Sequence, residues 1–147
     1  QLKSGFVYFK PQPESLFAGD PMAFWDNGTF HIYYLLDYKN SYSEWGQHLF
    51  AHMSTKDLRT WQHHPIAIPL DTNVEKSICT GSVFKKSKDT YYGFYAARTH
   101  VPQTKNTKRE AVRMARSKDG ILFDKANPKE LKLPTDFDHQ HMRDPHV

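Results

Sequence analysis

One pair of residues, Asp-Pro, occurs at Asp20-Pro21 and again at Asp144-Pro145, 124 positions later, which is twice 62. The same 62-residue period relates Lys56-Asp57 to Lys118-Asp119, Trp61 to Phe123 and Tyr33 to Tyr95. Self-similarity at a fixed period marks a repeat architecture, in which each unit buries its apolar face against the next. The units here read as strands, so the period predicts the blades of a β-propeller.

Within a unit the strand signals are local. Phe30-His31-Ile32-Tyr33-Tyr34-Leu35-Leu36 is aromatic and β-branched and follows Asp26-Asn27-Gly28, the composition of a tight hairpin turn. The second unit repeats this with Ser82-Val83-Phe84, a polar turn over 85–89, and Tyr91-Tyr92-Gly93-Phe94-Tyr95-Ala96-Ala97. A third strand follows in each, Leu49 to Ser54 and Ala111 to Ser117, running into a Lys-Asp turn and an aromatic residue, Trp61 or Phe123, expected to seal the blade. No segment keeps apolar residues at i, i+3, i+4 and i+7 for three turns, and prolines recur from Pro11 to Pro145. The chain is therefore expected to be all-β.

Two units and the opening of a third cannot close a propeller of four to eight blades. The 147 residues, 38% of them hydrophobic, are accordingly read as part of a larger protein, with uncovered blade faces and edges if left alone. A complete small protein with a third unit as a tail is the alternative. The expected partition of this catalytic segment, 1–147, is blade 1 over about 18–70, blade 2 over about 78–128, and the start of blade 3, inside a strand, over about 140–147. The remainder of the propeller, as a C-terminal segment or a second chain, is then an obligatory partner.

The net charge of +4 is spread over turns rather than gathered in a stripe, so neither nucleic acid nor a membrane surface is expected as a partner. The densest basic run, Lys105 to Arg109, reads as a solvated loop tip. A single cysteine, Cys79, excludes an internal disulfide framework and reads as a packed thiol. There is no run of 18 apolar residues. The start at Gln1-Leu2-Lys3 fits either a removed signal or a simple boundary of the segment, so the compartment stays open, with a secreted or periplasmic location favoured.

In a propeller the first strand of each blade lines the central channel, where equivalent positions converge. Asp20 and Asp144 hold such positions. Two carboxylates facing one polar cavity are the equipment of glycoside hydrolysis, in which one attacks or activates water and others stabilise an oxocarbenium-like transition state. The following prolines are expected to bias each aspartate toward extended backbone. A turn that merely starts a strand is the competing reading of each Asp-Pro.

The run Gly19-Asp20-Pro21, the strand Phe30 to Tyr34, His52-Met53-Ser54-Thr55-Lys56-Asp57-Leu58-Arg59-Thr60-Trp61 and Pro65 to Ile68 resemble the first blade of glycoside hydrolase family 32, the invertases, levanases and inulinases. Ile78-Cys79-Thr80-Gly81-Ser82 resembles that family's Phe-Ser-Gly-Ser segment, Ala115 to Gly120 its second-blade turn, and Arg143-Asp144-Pro145 its Arg-Asp-Pro motif. The resemblance implies a five-bladed β-propeller, of which this chain is the first two blades and the start of the third. The implied activity is hydrolysis of β-fructofuranosidic bonds in an oligo- or polysaccharide, with retention and without a cofactor.

By the same resemblance Asp20 is the nucleophile and Asp144 the transition-state stabiliser. Arg143 sits beside it as a charge partner, and His52, Thr80, Phe50 and Trp45 are expected to bind substrate. The family's general acid, a glutamate, lies after the Arg-Asp-Pro segment; none of Glu14, Glu44, Glu75, Glu110 or Glu130 lies in a matching motif, so the segment alone is expected to be inactive. The family's Asn-Asp-Pro-Asn-Gly is replaced by Gly19-Asp20-Pro21-Met22-Ala23, a common glutamine by Leu35, a tryptophan by Phe50 and a serine by Thr80. These departures leave room for a family 43-like inverting arabinofuranosidase or xylosidase, with Asp20 as base and carboxyls roughly 6.5–9.5 Å apart rather than about 5 Å. They also leave room for a propeller that binds glycans without cleaving them.

His139, His141 and His146 crowd the approach to Asp144, but two or three loop histidines without a further ligand make no metal centre, and none is expected. For His52 the competing reading is a strand histidine in the sheet. Trp61 is expected in the core, Trp25 at the periphery of a hairpin, and Trp45 in a loop is the best candidate for stacking on a sugar.

Overall fold

The computed structural model of the protein describes residues 17–38, 46–100, 110–131, 134, 136, 137 and 141–147. Among the described residues eight strands form two four-stranded antiparallel meanders. The first contains β1 (Ala18–Asp26), β2 (Thr29–Asp37), β3 (His48–Thr55) and β4 (Gln62–His63); the second contains β5 (Ser77–Ser87), β6 (Thr90–Arg98), β7 (Glu110–Ser117) and β8 (Asp124–Glu130). Each sheet runs in simple sequence order, and corresponding third and fourth strands begin 62 residues apart. Such sheets have the form of early propeller blades.

Local chemistry explains the turns. Asn27 (φ 46°) and Gly28 (φ 76°) both take the left-handed backbone that a two-residue hairpin turn needs between twisted strands. The second hairpin closes through Lys88-Asp89. After the third strand of each sheet the same bonds recur. Thr55 Oγ1 accepts the amides of Asp57 (3.2 Å) and Leu58 (2.9 Å), and Asp57 Oδ1 accepts those of Arg59 (2.8 Å) and Thr60 (2.7 Å). In the second sheet Ser117 Oγ accepts the amides of Asp119 (3.2 Å) and Gly120 (3.0 Å), and Asp119 Oδ1 those of Ile121 (2.8 Å) and Leu122 (3.2 Å). The Thr60 and Arg59 amides also hold the Asp57 carboxyl below the usual carboxylate range.

The sheets pack face to face. Tyr33 and Leu35 of β2 and Leu49 and Phe50 of β3 meet Ile78 and Val83 of β5 and Tyr91, Tyr95 and Ala97 of β6. Each large side chain so buried contributes roughly 1.5–3 kcal/mol. The repeat partners Tyr33 and Tyr95 are both fully buried, and each spends its hydroxyl on a hydrogen bond, to the Gly120 carbonyl (2.7 Å) and to Glu75 Oε1 (3.2 Å). Phe123 lies edge-on to Tyr33 in this core, while Trp61 is half-buried against Phe30 in a smaller cluster on the outer face of the first sheet. Trp25 is exposed at its hairpin, as expected.

The connection from β4 to β5 threads this interface: Phe50 exchanges backbone hydrogen bonds with Ala67 and Ile68. It ends at Glu75, whose fully buried carboxylate takes Lys125, Arg113 (3.2 Å), Tyr95 and the Asp71 amide (3.1 Å). Asp26 at the tip of β1 clamps the other end of the seam, accepting both of its 2.7 Å bonds from Lys85 and one of 2.8 Å from Tyr91. Residues 141–147 form no strand, because no strand among the described residues lies alongside to complete a ladder.

Candidate functional site

The first strands of the two sheets share an irregularity. Between Gly19 and Met22 β1 carries one residue more than β2, so Asp20 and Pro21 bulge out of the ladder; between Cys79 and Gly81 β5 does the same, and Thr80 is the extra residue. A bulge re-aims a side chain away from the alternating pattern. Asp20 is exposed at the start of its strand, and the Thr80 hydroxyl donates to Asp20 Oδ2 across the seam between the sheets. Just below, the Gly81 amide points at Met22 Sδ (3.2 Å).

Asp20 (φ 45°) and Asp144 (φ 55°) both have left-handed backbone, not the extended form expected from the prolines that follow. Proline restrains its predecessor mainly by disfavouring the right-handed helical region, and aspartate tolerates the left-handed region better than most residues. The two aspartates thus share an unusual local geometry as well as a repeat register.

Asp144 and Arg143 approach the second sheet near Cys79. Burial raises the Cys79 thiol pKa, while Arg98, Glu110, Asp144 and Arg143 all act on it electrostatically. Arg98, last in β6, donates to Glu110 Oε1, first in β7, at 3.1 Å, and Arg143 Nε lies 3.8 Å from Glu110 Oε2. Asp20, Thr80, Arg143 and Asp144 therefore gather at the strand-start end of the sheets.

Phe50 and His52, expected to touch substrate, are instead in the core. They face the second sheet from β3, opposite Leu35 and Tyr33, and are at most 1% exposed. Trp45, His139 and the basic run Lys105 to Arg109 lie outside the described residues; His141 and His146 are described and neither is buried. Glu75 and Glu110 are buried in ion pairs, in keeping with the absence of an acid motif around them.

His52 belongs to a stack that sequence reasoning missed. Its ring lies 4.3 Å from Tyr33 and 4.2 Å from His64, near-parallel to both, and its Nε2 is hydrogen-bonded to His31 Nδ1 at 2.9 Å. Ser54 Oγ bonds His64 Nε2 at 2.8 Å, whereas His52 Nδ1 has no partner. Burial and the neighbouring imidazoles push His52 down to about 3, so the stack is neutral at ordinary pH. The alternation His31-x-Tyr33 opposite Ser54-x-His52 was the available signal, but it becomes one only once the β2–β3 register is known.

A model of the glycosyl hydrolases family 32 N-terminal domain matches residues 11–147. The extracellular exo-inulinase of Aspergillus awamori is 25% identical over an alignment covering 97% of this chain and 31% of the relative. Sucrose-6-phosphate hydrolase of Escherichia coli is 26% identical over 97% of this chain and 29% of its own length. The crystal structure of the A. awamori exo-inulinase superposes with a TM-score of 0.67 at 24% identity, over 88% of this chain and 29% of that one. A Schwanniomyces occidentalis β-fructofuranosidase structure gives 0.58 at 23%, over 83% and 25%. The chain spans between a quarter and a third of the length of these relatives. With two repeated four-stranded sheets and a family match over nearly its full length, the chain belongs to glycosyl hydrolase family 32.

Proposed function

We propose that the protein hydrolyses β-fructofuranosidic bonds in sucrose or fructan-type substrates, with Asp20 as nucleophile. The observation that carries this reading is the placement of Asp20: an exposed carboxylate on a bulge at the head of a first strand, held by the Thr80 hydroxyl of the next sheet. One oxygen is fixed by that bond and the other is open to attack an anomeric carbon. The bond to the leaving oxygen breaks as the new carbon–oxygen bond forms, the leaving oxygen takes a proton from an acid outside residues 1–147, and water then releases the sugar with net retention.

Asp144 stabilises the developing positive charge and binds sugar hydroxyls, and Arg143 holds it in place. Thr80 acts on substrate through Asp20, Trp45 is kept as a stacking residue, and Phe50 and His52 serve as the packed floor beneath. Five blades complete the ring, the present sheets being the first two and residues 141–147 the entry to the third. The names of the extracellular exo-inulinases among the relatives support secretion.

The test is Asp20→Asn in the full-length protein, with release of fructose from sucrose and inulin as readout. A loss of at least about 10³-fold in kcat with substrate binding retained is expected. An unchanged rate refutes the nucleophile. NMR of the first-formed anomer separates retention from inversion, and glycan binding without turnover by either form would replace hydrolysis with a lectin-like role.

A further inference from the structure

Glu110 is one of the buried polar groups left with an unsatisfied atom. It opens β7 opposite Arg98, its cross-strand partner, and is 5% exposed. Oε1 takes the 3.1 Å bond from Arg98, but Oε2 has no hydrogen-bond partner. A buried carboxylate oxygen left unsatisfied is costly, so the cross-strand pair with Arg98 does not by itself account for a charge there. The group that faces Oε2 is the Arg143 guanidinium, with Nε at 3.8 Å. Arg143 is half-exposed, precedes Asp144, and belongs to a stretch without strand pairing, so the ladder does nothing to position it.

We propose that Glu110 is a positioning residue: its free carboxylate oxygen anchors the Arg143 guanidinium and thereby sets the position of the adjacent Asp144 carboxylate in the sugar site. The inference rests on the proposed role of Asp144. Arg98 engages one oxygen of the Glu110 carboxylate and fixes its rotamer, which leaves the other oxygen facing Arg143. A guanidinium N–H makes a strong, directed bond to a carboxylate oxygen, and a move from 3.8 Å to hydrogen-bond distance closes the Arg98–Glu110–Arg143 chain. Such a shift of the acidic side chain by about an ångström alters rate without altering the fold.

The experiment is a double-mutant cycle in the full-length protein, with Glu110→Gln, Arg143→Gln and the pair, reading kcat/KM for sucrose together with the thermal midpoint. Glu110→Gln should lower kcat/KM by on the order of 10- to 100-fold, and that loss should vanish in the Arg143→Gln background. A purely structural role would lower the midpoint and give losses that add in both backgrounds, and this result overturns the proposal. If Glu110→Gln does not fold, Glu110→Asp keeps the charge and withdraws it from Arg143. It should show a smaller loss that again disappears with Arg143→Gln, and wild-type activity for Glu110→Asp would equally overturn the idea. Should Asp144→Asn in the same protein retain full activity, the site reading itself fails. Full loss in Asp144→Asn with additive Glu110 and Arg143 effects refutes the positioning role alone.

Discussion

Thr80 and Asp20 are extra residues in equivalent strands of neighbouring sheets, and the hydroxyl of one is bonded to the carboxylate of the other. The bond ties the two first strands together at the level of the proposed chemistry. It also restricts the Asp20 carboxylate to one orientation.

Removing that donor should therefore be felt in the rate. Thr80→Val keeps the shape of the side chain and is expected to reduce kcat/KM for sucrose by about 10- to 100-fold, the value of a hydrogen bond to a charged group. Thr80→Ser should retain most of the activity. Equal rates for all three would show that the bond does not orient the carboxylate.

Gly81 follows the second bulge, and a Cβ there would sit 1.8 Å from the Phe94 carbonyl oxygen. The obstacle is backbone of the paired strand, which has no side chain to swing away. Gly81→Ala is expected to destabilise by roughly 1–3 kcal/mol or more, measured by denaturant unfolding, and to reduce soluble yield. Unaltered stability would mean that β5 and β6 separate more readily than their pairing implies.

The twin Lys-Asp turns differ at the residue that follows the aspartate. Leu58 (φ 59°) holds the left-handed position that Gly120 (φ 73°) fills in the second sheet, and its side chain is exposed. Left-handed backbone costs a side-chain-bearing residue about 1–2 kcal/mol, against roughly 0.5–1 kcal/mol of extra chain entropy lost by glycine. Leu58→Gly should accordingly leave stability unchanged or raise it by up to about 1 kcal/mol, with the thermal midpoint as readout. A clear loss would assign a packing role to the Leu58 side chain.

The histidine stack predicts acid sensitivity. His52 titrates near 6.5 when unfolded and near 3 when folded, and burial also lowers His31 and His64. Between those values the unfolded chain binds protons that the folded chain does not, so stability falls as pH drops from about 6.5 toward 3. The groups around the stack do not reverse the sign. Asp26 and Lys85 face His31 with opposing effects, Asp119 raises His52 only weakly, and His63 adds repulsion at His64. The expected loss is on the order of a few kcal/mol, and His52→Gln should flatten that part of the pH profile in thermal melts. An unchanged slope would show that the stack is not the acid-labile element.

Much of the fold could be read from the chain because its signals are local. Asn27-Gly28 demands a particular turn, each Lys-Asp turn closes on its own side-chain-to-amide bonds, and Tyr33 and Tyr95 recur at the period that stacks one sheet on the next. Asp20 and Asp144 were also visible, through their shared proline. What the chain did not reveal depends on register. Whether Thr80 is an extra residue can be decided only by counting it against Ala96 and Tyr95 on the partner strand. For the same reason Phe50 and His52 looked eligible for a pocket. All but the first residue of β3 is buried, so alternation could not separate a channel-facing side from a core-facing one. Glu110 gave no sign in sequence, since its meaning comes from Arg98 across a strand and Arg143 more than thirty positions away.

The bulges have a consequence for how such a protein can change. A side chain in the ladder is judged by its neighbours on both sides, so altering it disturbs packing as well as function. A residue that stands outside the count has no such ladder neighbours to satisfy. Asp20 in one repeat and Thr80 in the next occupy that privileged place with different chemistry, on frameworks otherwise alike. Selection can therefore exchange the side chains at these two positions one at a time while the architecture beneath them stays intact.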